Sequence, residues 1–226
     1  MNTKKYLNHL FLIIILVLLP FACTRNKSGS KNQDNLPSFN NKTEKEFQHK
    51  AYPSHAKLFS AEYKEGYKIV YVKNPFDTSQ IEEQYILYPE GKSLPSGLPE
   101  GTVVRTPLQS IGIAYATHIG YLGKLNLLHT ISGVSQKKYI KNKSIRDSID
   151  KGSIKTFGPS HNINVEKLLS ISPDLLLVAP FKDNRYDKIR EVGIKIAINA
   201  SYMETSPLAR AEWIKFISYF YNKEKE

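Results

Sequence analysis

The stretch Phe157–Val178 limits the possible folds more than any other part of this chain. Apolar residues recur at helical spacing over Val165–Ile171, which predicts a short amphipathic helix. Ser172–Asp174 ends that helix, because its proline disfavours helical geometry in the residue before it. The apolar run Leu175–Val178 then predicts a strand covered on both faces, as in a parallel sheet. The stretch is therefore a helix–strand unit, with one acidic helix residue, Glu166, that packing does not require.

Strand and helix patterns alternate at short intervals on both sides of this stretch. This alternation predicts an α/β fold, a parallel Rossmann-like sheet with flanking helices. Its boundaries are predicted at residues 102–205. The further strands predicted for this sheet are Thr102–Arg105, Ile131–Val134, Thr156–Gly158 and Ile194–Ile198, and the further helices are Thr106–Leu122, Ser144–Lys151 and Asp183–Val192.

Two segments flank the α/β part. Residues 52–101 alternate apolar and polar residues around turn signals, which predicts a small β-rich extension. Glu65-Gly66 indicates a tight hairpin turn within it. Residues 206–226 predict a long helix that starts with Pro207 in its first turn and continues to the chain end without a stop signal.

The N-terminus has the features of a targeting segment. Lys4 and Lys5 precede the apolar run Leu10–Leu19, which is too short to span a bilayer comfortably. The run ends near Cys23 and resembles the lipobox of bacterial lipoproteins, which implies cleavage after residue 22 and lipidation of the Cys23 thiol. An ordinary secretory signal and an uncleaved anchor are the alternatives. Residues 23–51 are polar and predict a disordered tether.

Composition restricts the function further. Cys23 is the only cysteine, so an exported chain of this sequence has no intramolecular disulfide and no thiolate metal site. The formal charge is +11, or +9 without the two signal lysines, and the basic residues are scattered. Export argues against a nucleic-acid partner, and a scattered excess of charge is typical of a solvated surface.

No pattern in the sequence predicts catalysis or a metal centre. There is no nucleophile elbow, phosphate-binding glycine loop or zinc-protease motif. Three histidines lie in the predicted α/β part, His118, His129 and His161, but on separate elements, so we predict no metal site and no cofactor.

Candidate ligand-binding residues follow from the predicted sheet. In parallel α/β sheets, ligands bind outside the carboxyl ends of the strands. The loops at those positions offer aromatic side chains and cations, which suit a bulky, partly apolar, anionic ligand. The alternative for each residue is an ordinary polar loop position. The candidates are Lys137, Tyr139, Ser160, Phe181, Lys182, Arg185 and Tyr202.

The chain resembles a known family, the substrate-binding lipoproteins of iron-siderophore, heme and cobalamin ABC importers. The resemblance is carried by Ile131–Val134, Gly158, Asn164–Leu169, Ser172–Val178 and Tyr202–Phe216. It implies a binding protein without catalytic activity, in which these residues belong to the amino-terminal lobe. The implied partners are the importer permease, an iron chelate, heme or cobalamin-type ligand, and a membrane reached through the lipid anchor on the periplasmic side of the envelope.

The resemblance also implies a role for Glu166, which would dock onto arginines of the permease. A helix-start glutamate stabilised by the helix dipole is the alternative.

Family members continue into a second lobe, whereas this sequence stops at Glu226 on the predicted inter-lobe helix. Truncation is the favoured explanation. The alternative is a single-lobe envelope interaction protein, in which the apolar face of Trp213, Ile217 and Phe220 would need a partner. A hydrolase or metal-dependent enzyme is a third interpretation, which no motif supports.

Overall fold

The structure, a computed structural model, describes residues 47–183 and 186–226. The predicted signal peptide, Cys23, Arg185 and the predicted tether up to residue 46 lie outside the described residues. Within the described ranges, no helix is both long enough and apolar enough to cross a bilayer.

The N-terminal extension forms a four-stranded sheet in chain order. Strands β1 (Phe59–Lys64), β2 (Tyr67–Asn74) and β3 (Asp77–Pro89) are antiparallel, and the predicted hairpin turn between β1 and β2 is confirmed. Gly66 has a φ of 83° in that turn, a conformation that favours glycine. Strand β4 (Thr102–Thr106) then lies parallel to β3.

The pairing of β4 corrects the sequence prediction. That strand was expected to open the parallel sheet of the α/β part. Instead, Val104 is paired with Leu87 of β3, and both side chains are buried in the extension. The β-branched pattern of this short strand is compatible with the sheet of the extension and with the parallel sheet. Packing therefore decides which strand it pairs with.

A second sheet of five parallel strands confirms the predicted α/β fold class. Its order is β7-β6-β5-β8-β9, with helices between the strands. The strands are β5 (Ile111–Ile113), β6 (Ile131–Val134), β7 (Lys155–Thr156), β8 (Leu175–Val178) and β9 (Ile196–Ile198), and the helices are α1 (Ile119–Lys124), α2 (Lys143–Asp150), α3 (Val165–Ile171), α4 (Asp187–Glu191) and α5 (Pro207–Tyr219).

The helix predicted over Thr106–Leu122 is wrong. That segment contains the end of β4, the central strand β5, a short 3₁₀ turn and the start of α1. Gly112 in β5 faces a crowded environment, since a Cβ there would lie 3.0 Å from a methyl carbon of Leu176. A glycine therefore permits β5 to sit between β6 and β8, at the centre of the sheet.

Helix α3 and strand β8 confirm the unit predicted first. Asn164 begins α3 and accepts a hydrogen bond from the backbone N–H of Lys167 at 2.7 Å. Ser172 ends the helix in the left-handed region, with a φ of 48°. All four residues of β8 are buried, as a central parallel strand requires.

Helix α5 corrects two predictions. The helix ends at Tyr219 and does not continue to the chain end. Asn222, shortly after it, adopts the left-handed conformation with a φ of 55°, which is common just after a helix end. The apolar face of the helix is also covered: Trp213 and Phe216 pack on Phe59 of β1, with ring centroids 4.8 and 5.9 Å away. Trp213, Ile217 and Phe220 are all almost fully buried. The single-lobe alternative thereby loses the exposed face on which it depended.

Strand β3 also closes one edge of the parallel sheet. The backbone N–H of Ile198 in the edge strand β9 donates to the Tyr85 hydroxyl at 2.9 Å. An unpaired edge N–H is a site for unwanted strand pairing, and this hydroxyl satisfies it. The extension is therefore packed against the α/β part through α5 and β9.

Candidate functional site

The five parallel strands end at one side of the sheet, which we call the carboxyl edge. The chain leaves β5 and β8, which are neighbours, toward opposite sides, since β5 leads to β6 and β8 leads to β9. Such a switch point leaves a crevice between the two loops, where ligands of open α/β sheets bind. The candidate site is therefore centred between the residues that follow Ile113 and those that follow Val178.

Three aromatic side chains meet at this crevice and form the ring cluster: Tyr115, Phe181 and Tyr202. The rings of Tyr115 and Phe181 lie 6.5 Å apart with an interplanar angle of 33°. The Tyr202 hydroxyl donates to the carbonyl of Pro180 at 3.4 Å, while the residue stays 54% exposed. Partial burial, and then the neighbouring Tyr115, raise the pKa of Tyr202, so it stays protonated at neutral pH.

Tyr115 is the site residue that sequence reasoning missed. The residue directly follows Ala114, at the end of the central strand β5, and that strand was hidden inside a predicted helix. The signal that could have found it is the apolar run Ile111–Ala114 interrupted only by glycine. Phe181, Lys182 and Tyr202 were predicted, and the structure brings all three to this crevice.

One described cationic side chain, that of Lys182, lies beside the ring cluster. Lys182 follows Phe181 in the loop after β8, and its ammonium is 5.4 Å from the ring centroid of Phe76 in the extension. The side chain is exposed, so its charge is presented to solvent next to aromatic surface. Arg185, predicted for the same loop, lies outside the described residues.

Two buried polar atoms lie at the carboxyl edge. The side-chain nitrogen Nδ2 of Asn199, directly after β9, and Nδ1 of His118, shortly after β5, have no hydrogen-bond partner among the described residues. Burial lowers the pKa of His118 to about 4, so its imidazole is neutral at physiological pH. Unsatisfied buried polar atoms are costly, and such atoms concentrate at functional sites.

Lys137 and Tyr139 lie one strand away, after β6. Lys137 is ion-paired with Asp150 of α2, so its charge is already partly compensated. Tyr139 is 60% exposed and helps to line a depression of about 410 Å³ against α1, with Lys138 stacked 4.8 Å from its ring centroid. Tyr139 therefore belongs to a second depression, and Lys137 is not among the residues that line it.

Ser160 lies in the loop after β7. Together with His161 it lines a cavity of about 120 Å³ against Tyr186 and Ile189 of the α4 region. The ring of Tyr186, which lines this cavity, lies 6.2 Å from the ring of Phe181 in the ring cluster. The pair Ser160 and His161 shows no hydrogen bond to each other, and the described residues contain no group of three or more His, Cys, Asp or Glu side chains placed to hold a metal ion.

Glu166 is exposed in the first turn of α3. The helix follows β7 and starts at the carboxyl edge, so Glu166 lies at the same side of the sheet as the ring cluster. The position suits a carboxylate that is stabilised by the helix N-terminus and is free to meet a partner. Cys23, the predicted lipidation site, is outside the described residues.

Comparison with known proteins gives relatives but no matching family model. The chain is 34% identical over 134 residues to an uncharacterized lipoprotein of Methanocaldococcus jannaschii, covering 55% of this chain and 32% of that protein. A second uncharacterized lipoprotein of that organism is 26% identical over 162 residues, covering 70% of this chain and 39% of that protein. The match thus spans 32% and 39% of the length of these two relatives.

Solved structures that resemble part of the chain include two ligand-binding proteins. A petrobactin-binding protein of Bacillus subtilis matches with a TM-score of 0.47 and 11% identity, over 70% of this chain and 46% of that chain. A periplasmic heme-binding protein of Vibrio cholerae matches with a TM-score of 0.42 and 18% identity, over 52% of this chain and 42% of that chain. Each match covers less than half of the solved protein.

Proposed function

We propose that this chain is the ligand-capturing lobe of a lipid-anchored solute-binding protein, which delivers an iron chelate, heme or cobalamin-type ligand to an ABC importer. The observation that carries the proposal is the ring cluster at the switch point of the parallel sheet. Its mechanism is capture and release, without a chemical step on the ligand and without a cofactor of its own.

The chemistry of the crevice supports a large, partly flat and anionic ligand. The ring cluster offers apolar faces, and Lys182 offers an ammonium at its rim. Asn199 Nδ2 and His118 Nδ1, at the same edge of the sheet, are buried and have no hydrogen-bond partner among the described residues. Small-molecule sites usually have mostly apolar walls and a few polar groups.

Ligand binding can be tested with the full chain purified in detergent. Trp213 is the only tryptophan, and its indole N–H donates to Glu204 at 3.2 Å, in the same loop as Tyr202. Its fluorescence therefore reports on that loop. We expect a saturable change with at least one of four ligands: a ferric catecholate, a ferric hydroxamate, hemin or cyanocobalamin. Calorimetry supplies an independent affinity for the coloured ligands.

Two variants make the test specific to the crevice. Phe181→Ala removes one ring of the ring cluster and should weaken binding about tenfold or more. Leu94→Ala removes an equally apolar, 48% exposed side chain from the loop between β3 and β4, and should leave the affinity unchanged. No binding of any of the four ligands, or equal affinity in both variants, would contradict the proposal.

The lipid anchor is the second part of the proposal. Cys23 closes an apolar N-terminal run, and two relatives are named as lipoproteins. Cells fed a radiolabelled or clickable fatty acid should transfer the label to the chain and should fail to label the Cys23→Ala variant. Labelling of that variant to the wild-type level would refute lipidation at this residue.

Docking through Glu166 is the third part. An exposed carboxylate at a protein–protein rim fixes orientation and accelerates encounter with a basic partner. In cells that carry the chain and its importer, Glu166→Gln should reduce ligand uptake while binding in solution is unchanged. Glu191→Gln is the matched control, because Glu191 is an exposed glutamate on a different helix, at the last position of α4. Normal uptake with Glu166→Gln would remove this role.

A further inference from the structure

We infer that the tip of the hairpin formed by β2 and β3, residues 74–81, forms a side wall of the ligand site, with Phe76 as the residue that contacts the ligand. This inference rests on the proposed function and adds a specificity-determining element from the N-terminal extension. The ligand it fits is flat and anionic. We call residues 74–81 the hairpin tip.

The course of β3 brings the hairpin tip to the carboxyl edge. Pro89, at the end of β3, is paired with Thr106, and the chain continues from Thr106 through a few residues to the start of β5. The end of β3 therefore lies at the opposite, amino edge of the parallel sheet. Since the β3 strand runs alongside β9, its first residues reach back toward the carboxyl edge.

Two contacts along β3 fix that course. The Tyr85 hydroxyl accepts the N–H of Ile198 near the middle of β3. Glu83, two residues closer to the hairpin tip, is ion-paired with Arg190 of α4, and 11% of the Glu83 side chain is exposed. The side chain of Arg190 is 35% exposed, so this ion pair is partly buried, and it lies two residues from the buried hydrogen bond of Tyr85. Together the two contacts leave little freedom for the hairpin to swing away.

The hairpin tip touches the candidate site through one pair. The ammonium of Lys182 lies 5.4 Å from the centroid of the Phe76 ring, and Lys182 is adjacent in sequence to Phe181 of the ring cluster. A cation over an aromatic face is an attractive contact. It joins the wall supplied by the extension to the wall supplied by the α/β part.

The composition of the hairpin tip is unusual for a solvated turn. Phe76 and Ile81 are 40% and 51% exposed, while the residues between them are polar. Side-chain hydrogen bonds hold the turn in place: Asn74 Oδ1 accepts from the N–H of Phe76 at 2.8 Å, and Asp77 accepts from Ser79. An aromatic ring is thus held at a fixed position with much of its surface uncovered, which lowers the entropy cost of a contact.

Charge decides which ligand the wall suits. The ring of Phe76 offers an apolar face, and the ammonium beside it attracts negative charge. A flat molecule with carboxylate or phenolate groups at its rim satisfies both at once. A neutral ligand of the same size would use the ring but gain nothing from Lys182.

The test compares two tip variants with a control in the full chain. Phe76→Ala should weaken the wild-type affinity for the bound ligand about tenfold, as measured by calorimetry with hemin or the ferric catecholate. Leu94→Ala, at the far end of the extension, should not change it. Lys182→Met alone should weaken binding, and the Phe76→Ala/Lys182→Met double variant should lose less than the product of the two single losses, because the two side chains act as a pair.

The outcomes separate this inference from the proposed function. If the wild type binds and Phe181→Ala weakens binding, but Phe76→Ala binds as the wild type does, the hairpin tip is not a wall of the site and the proposed function stands. If the wild type binds none of the ligands, the proposed function fails and this inference fails with it. Because Phe76 is substantially exposed, circular dichroism of Phe76→Ala should match the wild type.

Discussion

Helix α5 holds the segment that leads into the first sheet by means of a single carboxylate. Glu212 accepts hydrogen bonds from the backbone N–H groups of Ser54, His55 and Ala56 at 2.6–2.8 Å, and from the ammonium of Lys215 at 2.7 Å. The residue is only 8% exposed. Glu212→Gln keeps the shape but removes the charge and turns an amide NH₂ group toward backbone donors. We predict a loss of stability that depends on pH.

The size of the loss follows from the pKa of this carboxyl. Burial raises the pKa of Glu212, but the hydrogen bonds from Lys215 and from the backbone of Ala56, Ser54 and His55 outweigh it and lower the pKa from 4.5 to about 2. At about 1.36 kcal/mol per pKa unit this is about 3 kcal/mol. Solvent reaches Lys215, whose side chain is 32% exposed, and screening reduces the figure to about 2 kcal/mol.

The sign of the pH dependence is fixed by the direction of the shift. Because the folded pKa lies below the unfolded one, the stabilisation is complete above pH 4.5 and is lost as the pH falls toward 2. The wild type should therefore exceed Glu212→Gln by about 2 kcal/mol at pH 7 and by about half of that at pH 3.5.

Urea unfolding of the full chain, followed by circular dichroism at both pH values, measures this difference. Glu191→Gln, an exposed glutamate of α4, is the matched control and should unfold as the wild type does at either pH. A gap below about 0.5 kcal/mol at pH 7, or the same gap at both pH values, would refute the reasoning, because either result means that the charge on Glu212 does not stabilise the fold.

Three further predictions concern packing within and between the two sheets. Lys68→Met should cost about 3 kcal/mol in urea unfolding, because the ammonium of this fully buried lysine is 2.6 Å from the carboxylate of Glu224, and adding Glu224→Leu should recover most of the loss. Tyr85→Phe should cost about 1–2 kcal/mol in the same assay, because it leaves a buried strand N–H without its acceptor, and no change would refute the edge-capping role. Gly133→Ala should lower the melting temperature, since its Cβ would lie 3.0 Å from a methyl carbon, whereas Gly120→Ala, in open space on α1, should not.

Local signals explain what the sequence could predict. Helix α3 and strand β8 have a capping asparagine, a Ser-Pro-Asp stop and a continuous apolar run, and each signal acts within a few residues. Strand β5 has only three residues, of which one is glycine, and a proline shortly before it indicates a helix start. Its structure is decided by pairing with β6 and β8, which are distant in sequence.

The same distinction applies to the candidate site. Phe181, Lys182 and Tyr202 could be named as candidates because each follows a strand that was predicted, and their role in binding stays a prediction. Tyr115 was not named because its strand was not predicted, and the position of Phe76 depends on how the two sheets pack. The burial of Trp213 was missed for that second reason: its apolar helix face is covered by the extension, and a helical pattern does not reveal what covers it.

One residue connects the candidate site to the rest of the chain. Glu204 lies in the loop that carries Tyr202, is 3% exposed, and accepts the N–H groups of Lys57 and Leu58 as well as the indole N–H of Trp213. A ligand that moves Tyr202 must therefore either leave Glu204 in place or disturb these buried charge-assisted hydrogen bonds. Breaking them costs more free energy than losing a contact at the exposed rim of the site. The carboxylate of Glu204 thus links the loop of Tyr202 to two other parts of the fold. One is the segment before β1, which the predicted tether would join, and the other is the tryptophan of α5. A buried tryptophan can for this reason report on an exposed crevice.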